Sequence, residues 1–204
     1  MNLASIVAAQ GQYDVALRLY QQAEEESMEV SAQDRRLASS RDILDSGKDN
    51  LLYRRAIEYC FGNLNLAENK LEDAQASYRS CLDDYIEDSL EKNTHMTCGC
   101  HYKLSLMEMQ LGDQERAVVG SGHLDDAMRM AQKANAQGYI GRILTLKLEF
   151  ARKDESHQPD LGDPGEIQLR IKAVRSSLEA QSSGLEMPHS PDRIFEYFIP
   201  WQAR

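Results

Sequence analysis

A pattern of small and aromatic residues at helical spacing recurs along the chain and limits its fold more than any other feature. In the clearest copies an alanine is followed by a tyrosine four positions later and by another small residue three positions after that. The alanines are Ala16, Ala74 and Ala117, and the tyrosines are Tyr20 and Tyr78. Residues three and four apart share one face of an α-helix, so the pattern predicts amphipathic helices that pack closely together.

Each copy also contains a preceding helix and a turn. A small residue lies in the first helix, at Ala4, Gly62 and Ser105, and a turn follows at Gly11, Asn69 and Gly112. Small residues let paired helices approach closely where they cross. A single two-helix unit cannot bury its apolar face alone, so the copies are expected to stack.

The pattern predicts an all-α fold, a right-handed α-solenoid of about four helical hairpins. The predicted parts are repeats at about residues 1–27, 53–92 and 97–134, a long connector at 28–50, and a C-terminal helix with an aromatic cap at 155–204. Residues 1–154 thus form the repeats and the remainder closes the same solenoid. The connector is expected to hold an extra helix near 32–45 or to be mobile, with Asn50 capping a helix that starts at Leu51.

The end of the chain is predicted to continue the helical array. Residues 139–152 and 165–181 have helical periodicity, and a loop rich in Pro, Gly and Asp separates them. The tail at 191–204 is rich in aromatic residues and contains the only tryptophan, Trp201. Because solenoid ends expose an apolar face, we expect the tail to cover it. The alternative is a linear motif that binds a partner.

The third copy contains an irregular feature, Gly120-Ser121-Gly122. Glycine inside a helix costs about 1 kcal/mol relative to alanine, so a kink or break is expected there. Removal of three residues would place Leu124 and Ala127 at the positions of the repeat pattern. The segment is therefore a hinge, a tolerated insertion or an artefact of how the gene was read.

Composition excludes several classes of function. The net charge of −10 disfavours nucleic acid and anionic membranes, which both require cationic surfaces. No apolar run reaches the roughly 20 residues of a membrane helix. The four cysteines show no disulfide framework, so we expect reduced thiols in a cytoplasmic protein.

The copies fit the tetratricopeptide repeat, and the chain resembles the C-terminal repeat arrays of fungal signal-transduction ATPases of the NB-ARC and NACHT type. The resemblance is carried by "FGNLNLAENKLEDAQASYRSCL", by "CHYKLSLMEMQLGDQERAV" with "HLDDAM", and by the ending "IFEYFIPWQAR". It implies ligand sensing and protein contacts. The phosphate loop G-x-x-x-x-G-K-[ST] is missing, so we expect no ATPase activity. The chain is then a fragment, a truncated gene model or a freestanding adaptor.

The resemblance also implies a binding surface, because the first helix of each tetratricopeptide pair lines a concave groove. The groove positions map to Ser5, Tyr59, Asn63, Leu66, Tyr102, Leu106 and Met109. Tyrosine, methionine and asparagine suit an extended or helical peptide. The alternative is ordinary surface or packing between repeats. Chaperone-binding arrays carry Lys, Asn and Arg at such positions, so we expect no binding of chaperone tails.

Catalytic or metal-binding chemistry has little support in the sequence. The motif "HMTCGCH" holds His95, Cys98, Cys100 and His101, but structural zinc usually requires two separated ligand pairs, and no second pair follows. No nucleophile motif is present. Carboxylates are abundant on polar helix faces, including Asp83, Asp84, Glu87, Asp88, Asp125 and Asp126. We expect neither a metal nor a cofactor.

These features predict a non-catalytic scaffold or sensor array that binds a protein or peptide in its groove. The alternative is a helical enzyme or small-molecule-binding protein with a pocket between the repeats and the C-terminal helices. A third interpretation is self-association through exposed end repeats.

Overall fold

In a computed structural model of the chain, the described residues form α-helices and no β-strand. The structure describes residues 4, 7, 10–37, 40–83, 90–110, 114–153 and 161–181. The helices are α1 (Tyr13–Leu37), α2 (Ser40–Ala67), α3 (Leu71–Asp83), α4 (Leu90–Gln110), α5 (Gln114–Lys133), α6 (Gln137–Lys153) and α7 (Pro164–Gln181). The predicted all-α class is confirmed, whereas the solenoid and its handedness stay predictions.

The chain divides into two compact units, Met1–Ser89 and Leu90–Arg204. In the first unit α1 packs against α2, and α2 packs against α3. In the second unit each helix from α4 to α7 packs against the next one, and α4 also contacts α6. The boundary inferred from sequence at residues 154 and 155 therefore falls inside the second unit, where α7 packs against α6.

Three turns share one geometry. Gly11, Asn69 and Asn135 adopt left-handed conformations with φ of 78°, 60° and 50°. In each turn the next residue's amide donates to the carbonyl oxygen five positions earlier, at 2.8–3.1 Å, as in a Schellman cap. That same residue then accepts the first hydrogen bond of the following helix. The turns predicted at Gly11 and Asn69 are confirmed, the one at Asn135 was not anticipated, and Gly112 lies outside the described residues.

The segment predicted to be a separate connector belongs to two long helices instead. α1 extends to Leu37 and α2 begins at Ser40, so only residues 38 and 39 lie between them. The predicted start at Leu51 with Asn50 as a cap is wrong, because Asn50 lies inside α2. Apart from Gly47, this segment consists of residues that helices tolerate, and nothing in it forces a chain break.

The core of the first unit is built on the small residues of the repeat pattern. Ala4, Ala16, Tyr20 and Leu64 form one buried cluster, and the ring of Tyr20 meets Phe61 edge to face at 5.9 Å. In the next hairpin Tyr78 lies directly against Gly62. A Cβ atom at Gly62 would be 2.5 Å from Cε1 of Tyr78, so this position accepts only glycine without rearrangement.

In the second unit α5 runs without interruption through Gly120-Ser121-Gly122, so the predicted break is wrong, whereas the kink stays a prediction. Gly120 is buried, and a Cβ atom there would clash with Cγ of Met109 on α4. The close approach of α4 leaves no room for a side chain at this position.

The repeat pattern therefore persists in α5 without removing any residue. Gly120, Leu124 and Ala127 are buried and have the same spacing as Ala74, Tyr78 and Cys81. The sequence pattern assigned the first small position of this copy to Ala117, three residues before Gly120. A shift of three residues is close to one turn of an α-helix, so nearly the same face still points at α4.

α7 begins with a side-chain cap. Oδ2 of Asp163 accepts a hydrogen bond from the amide of Glu166 at 2.8 Å, and Pro164 occupies the first helical position. Both features are typical of helix starts. The predicted helices 139–152 and 165–181 correspond to α6 and α7. The aromatic cap predicted at 191–204 lies outside the described residues.

Candidate functional site

The predicted groove residues of the first unit differ in accessibility. Tyr59 is fully buried on α2, with its ring 5.8 Å from that of Tyr78. Asn63 is half-buried, and its Oδ1 accepts a hydrogen bond from the Tyr78 hydroxyl at 2.8 Å. Leu66 is half-buried near the end of α2. Tyr59 is therefore a core residue here, whereas Asn63 and Leu66 remain reachable from solvent.

The predicted groove residues of the second unit also differ in accessibility. Tyr102 and Met109 on α4 are 7% and 8% exposed, while Leu106 is half-buried. The guanidinium of Arg142 on α6 lies 5.1 Å from the centroid of the Tyr102 ring, in a cation–π arrangement. The sulfur of Met109 accepts a hydrogen bond from the Ser105 hydroxyl at 3.3 Å. Packing inside the unit accounts for both buried side chains.

Tyr59 and Tyr102 each pack against a neighbouring helix of their own unit, so neither ring offers an exposed aromatic face. Peptide binding by Asn63, Leu66 and Leu106 stays a prediction. Ser5, the remaining groove position, lies outside the described residues.

The four residues of "HMTCGCH" do not form a common site. Cys98 donates a hydrogen bond to the carbonyl oxygen of Ala127 at 3.4 Å, and burial raises the pKa of its thiol to about 12. Cys100 is fully buried. His95 lies beside the Tyr139 ring, with a centroid separation of 6.1 Å, and burial lowers its pKa. A protonated, buried thiol is a poor metal ligand, so Cys98 serves packing.

His101 is the exception, because it meets a second histidine from the next helix. Nδ1 of His101 on α4 lies 3.1 Å from Nδ1 of His123 on α5, and the ring centroids are 5.3 Å apart. Asp126 is three residues beyond His123 and shares its helix face. One potential ligand atom from each of these three side chains lies within 4.8 Å of the others. We call this group the His–His–Asp cluster.

The cluster is half-buried and contains both uncharged and charged side chains. All three residues have intermediate exposure. Burial, followed by the neighbouring His123, lowers the pKa of His101 to about 4, whereas Asp126 opposes that change. Arg129 forms an ion pair with Asp126, with Nη2 2.6 Å from Oδ1. At neutral pH His101 is therefore an uncharged imidazole beside one ion-paired carboxylate.

Two other carboxylates considered from the sequence lie on the surface. Asp83 is exposed, and Asp125 is exposed and paired with Lys147 at 2.5 Å. Asp84, Glu87 and Asp88 lie outside the described residues.

We find no helix in the described segments with the length and apolar character that crossing a bilayer requires.

Sequence reasoning identified His101 but missed its partners. His123 and Asp126 could have been identified from their spacing in "HLDDAM". Residues three apart in a helix share one face, so this spacing places an imidazole and a carboxylate side by side. Their proximity to His101 depends on the register between α4 and α5. That register is set by the packing of the two helices and cannot be predicted from the sequence of either one.

No protein-family model matches the chain, and neither the curated proteins nor the solved structures contain a significant match. The tetratricopeptide resemblance therefore rests on the residues quoted above.

Proposed function

We propose that this chain is a non-catalytic scaffold or sensor array of tetratricopeptide type that binds a protein or peptide partner on its helical hairpins. The observation that carries the proposal is the repeated hairpin geometry. Gly62 against Tyr78 and Gly120 against Met109 join successive helices at close range. Such hairpins are the building blocks of solenoid proteins, whose extended surfaces serve binding.

The partner contacts we propose are the reachable members of the predicted groove, taken in each unit by itself: Asn63 and Leu66 on α2 of the first unit, and Leu106 on α4 of the second. Tyr59, Tyr102 and Met109 support these positions from the interior rather than contacting the partner. Leu66 and Leu106 are partly exposed, and a partner that covers them would remove apolar area from water.

The test compares capture of partners by matched leucine variants. The wild-type chain and the variants Leu66→Glu, Leu106→Glu and Leu169→Glu would be immobilised, incubated with lysate of the source organism and analysed by mass spectrometry. Leu169 on α7 is 70% exposed and lies outside the predicted groove, so its variant controls for added charge.

We expect the two groove variants to lose a protein that the wild type and the Leu169→Glu variant both retain. Circular dichroism should show equal helix content in all four chains. If the four chains capture the same proteins in equal amounts, the surface is misassigned. The predicted self-association and the alternative of a small-molecule pocket stay predictions.

A further inference from the structure

The His–His–Asp cluster has the composition of a metal site that the scaffold function does not require. Two helices supply it: His101 comes from α4, and His123 and Asp126 come from α5. Within the described residues, no other group of three or more His, Cys, Asp or Glu side chains converges in this way. Imidazole and carboxylate together are ligands that zinc and its first-row neighbours accept.

The spacing of the two imidazoles agrees with a shared ion. Zinc–nitrogen bonds are about 2.0–2.1 Å long, so two nitrogen ligands at angles between square and tetrahedral lie about 2.8–3.4 Å apart. The observed separation of the two Nδ1 atoms is 3.1 Å. An imidazole–imidazole hydrogen bond has a similar length, so this distance alone does not separate the two interpretations.

Asp126, the third residue of the cluster, favours a shared metal ion over a hydrogen bond between the two imidazoles. A hydrogen bond between imidazoles has no need of a carboxylate, whereas Asp126 places one close to both rings. Its side chain is 42% exposed, and one of its oxygens lies within 4.8 Å of a nitrogen of each imidazole. Oδ1 of Asp126 is held by Arg129, but a carboxylate has a second oxygen that can act as a ligand.

We propose that His101, His123 and Asp126 bind one divalent transition-metal ion of the zinc class, through Nδ1 of both imidazoles and one carboxylate oxygen. Three protein ligands leave a coordination position, which water occupies at a half-buried site. The ion would tie α4 to α5 and stabilise this hairpin when bound.

The experiment measures binding of zinc to the full chain after treatment with a chelator and in the presence of a thiol reductant. Calorimetry gives stoichiometry and affinity, and the visible absorption of cobalt(II) reports ligand number and geometry. The variants His123→Gln and Asp126→Asn remove one ligand each. Asp125→Asn is the matched control, because Asp125 is adjacent but exposed and paired with Lys147.

We expect one ion per wild-type chain and a loss of affinity of at least about tenfold in each ligand variant. The Asp125→Asn variant should bind as the wild type does. The proposal is overturned if the folded wild type takes up no zinc at millimolar concentration. It is also overturned if binding survives both ligand variants unchanged, which would place the metal elsewhere, for example on the half-buried thiol of Cys60. The titration of the wild type tests whether the chain binds zinc at all, even if a variant fails to fold.

Discussion

The ring of Tyr78 occupies the space that a side chain at Gly62 would need. A Cβ atom at Gly62 would be 2.5 Å from Cε1 and 2.7 Å from Cδ1 of that ring. The ring cannot easily move, because it is fully buried and its hydroxyl donates to Asn63. The absence of one side chain therefore sets the distance between α2 and α3.

Replacement of Gly62 should be destabilising even though alanine is the better helix former. Overpacking of this kind costs about 1–3 kcal/mol, which exceeds the gain of about 1 kcal/mol in helix propensity. We expect Gly62→Ala to lower the free energy of unfolding and Gly62→Leu to disrupt the α2–α3 hairpin. Urea unfolding followed by circular dichroism measures both.

The control for this prediction is Gly122→Ala. A Cβ atom at Gly122 would meet nothing within 4 Å, and the residue is exposed inside α5. This variant should raise the free energy of unfolding by up to about 1 kcal/mol. Equal effects of the two alanine substitutions would contradict the close contact at Gly62.

Truncation of the two buried tyrosines should damage the fold. Tyr59 is fully buried and Tyr102 is nearly so. Loss of a buried aromatic side chain typically costs about 3–5 kcal/mol. We expect Tyr59→Ala and Tyr102→Ala each to lower the midpoint of urea unfolding markedly, whereas Leu169→Ala should leave it nearly unchanged. A midpoint that stays constant in the tyrosine variants would show that these rings are surface residues.

The cap of α7 should contribute measurably to stability. Removal of an aspartate cap typically costs about 1 kcal/mol, because an amide at the helix start loses its partner. We therefore expect Asp163→Ala to accelerate amide hydrogen exchange in the first turn of α7. Asp163→Asn retains an acceptor oxygen and should behave like the wild type. Similar exchange in the Ala and wild-type chains would rule out a stabilising cap.

Stability should fall in mildly acidic solution because of His95. Burial lowers the pKa of this residue, and among the described residues its Nδ1 atom has no hydrogen-bond partner. The unfolded chain binds a proton at His95 below about pH 6.5 more readily than the folded chain does. The contribution to stability is therefore fully present above about pH 6.5 and is lost as the pH falls towards the lowered folded value.

The measurement is the free energy of unfolding at about pH 7.5 and about pH 5 in the presence of a chelator. His95→Gln is uncharged at both values, so its stability should fall less than that of the wild type. His101 contributes in the same direction, because its pKa is also lowered, and some pH dependence should remain in the variant. An identical fall in both chains would refute a role for His95.

Arg129 should limit the affinity of the proposed metal site. Its guanidinium pairs with Asp126 and lies close enough to lower the pKa of His101. A cation beside a metal ligand both repels the ion and competes for the carboxylate. We expect Arg129→Gln to bind zinc more tightly than the wild type in the calorimetric titration. Weaker binding by this variant would mean that Arg129 supports the site, for instance by orienting the carboxylate.

Several features of the molecule follow from local sequence. Periodicity indicated α3, α6 and α7, and the left-handed turns at Gly11 and Asn69 were placed correctly, because a turn depends on a few adjacent residues. The error at residues 28–50 is also informative. Residues 40–50 belong to α2, which has little apolar periodicity, so the start of this helix could not be recognised from an amphipathic pattern.

The sequence by itself determined the helical class, the spacing of small and aromatic residues and two of the turns, since all of these depend on interactions within one or two helical turns. Tertiary structure alone decided that Tyr59 and Tyr102 are buried, that Gly120 lies against Met109, and that His101 lies against His123. Each of these depends on the register between two helices. That register is fixed by how side chains from distant parts of the chain fit together, and no single segment contains that information.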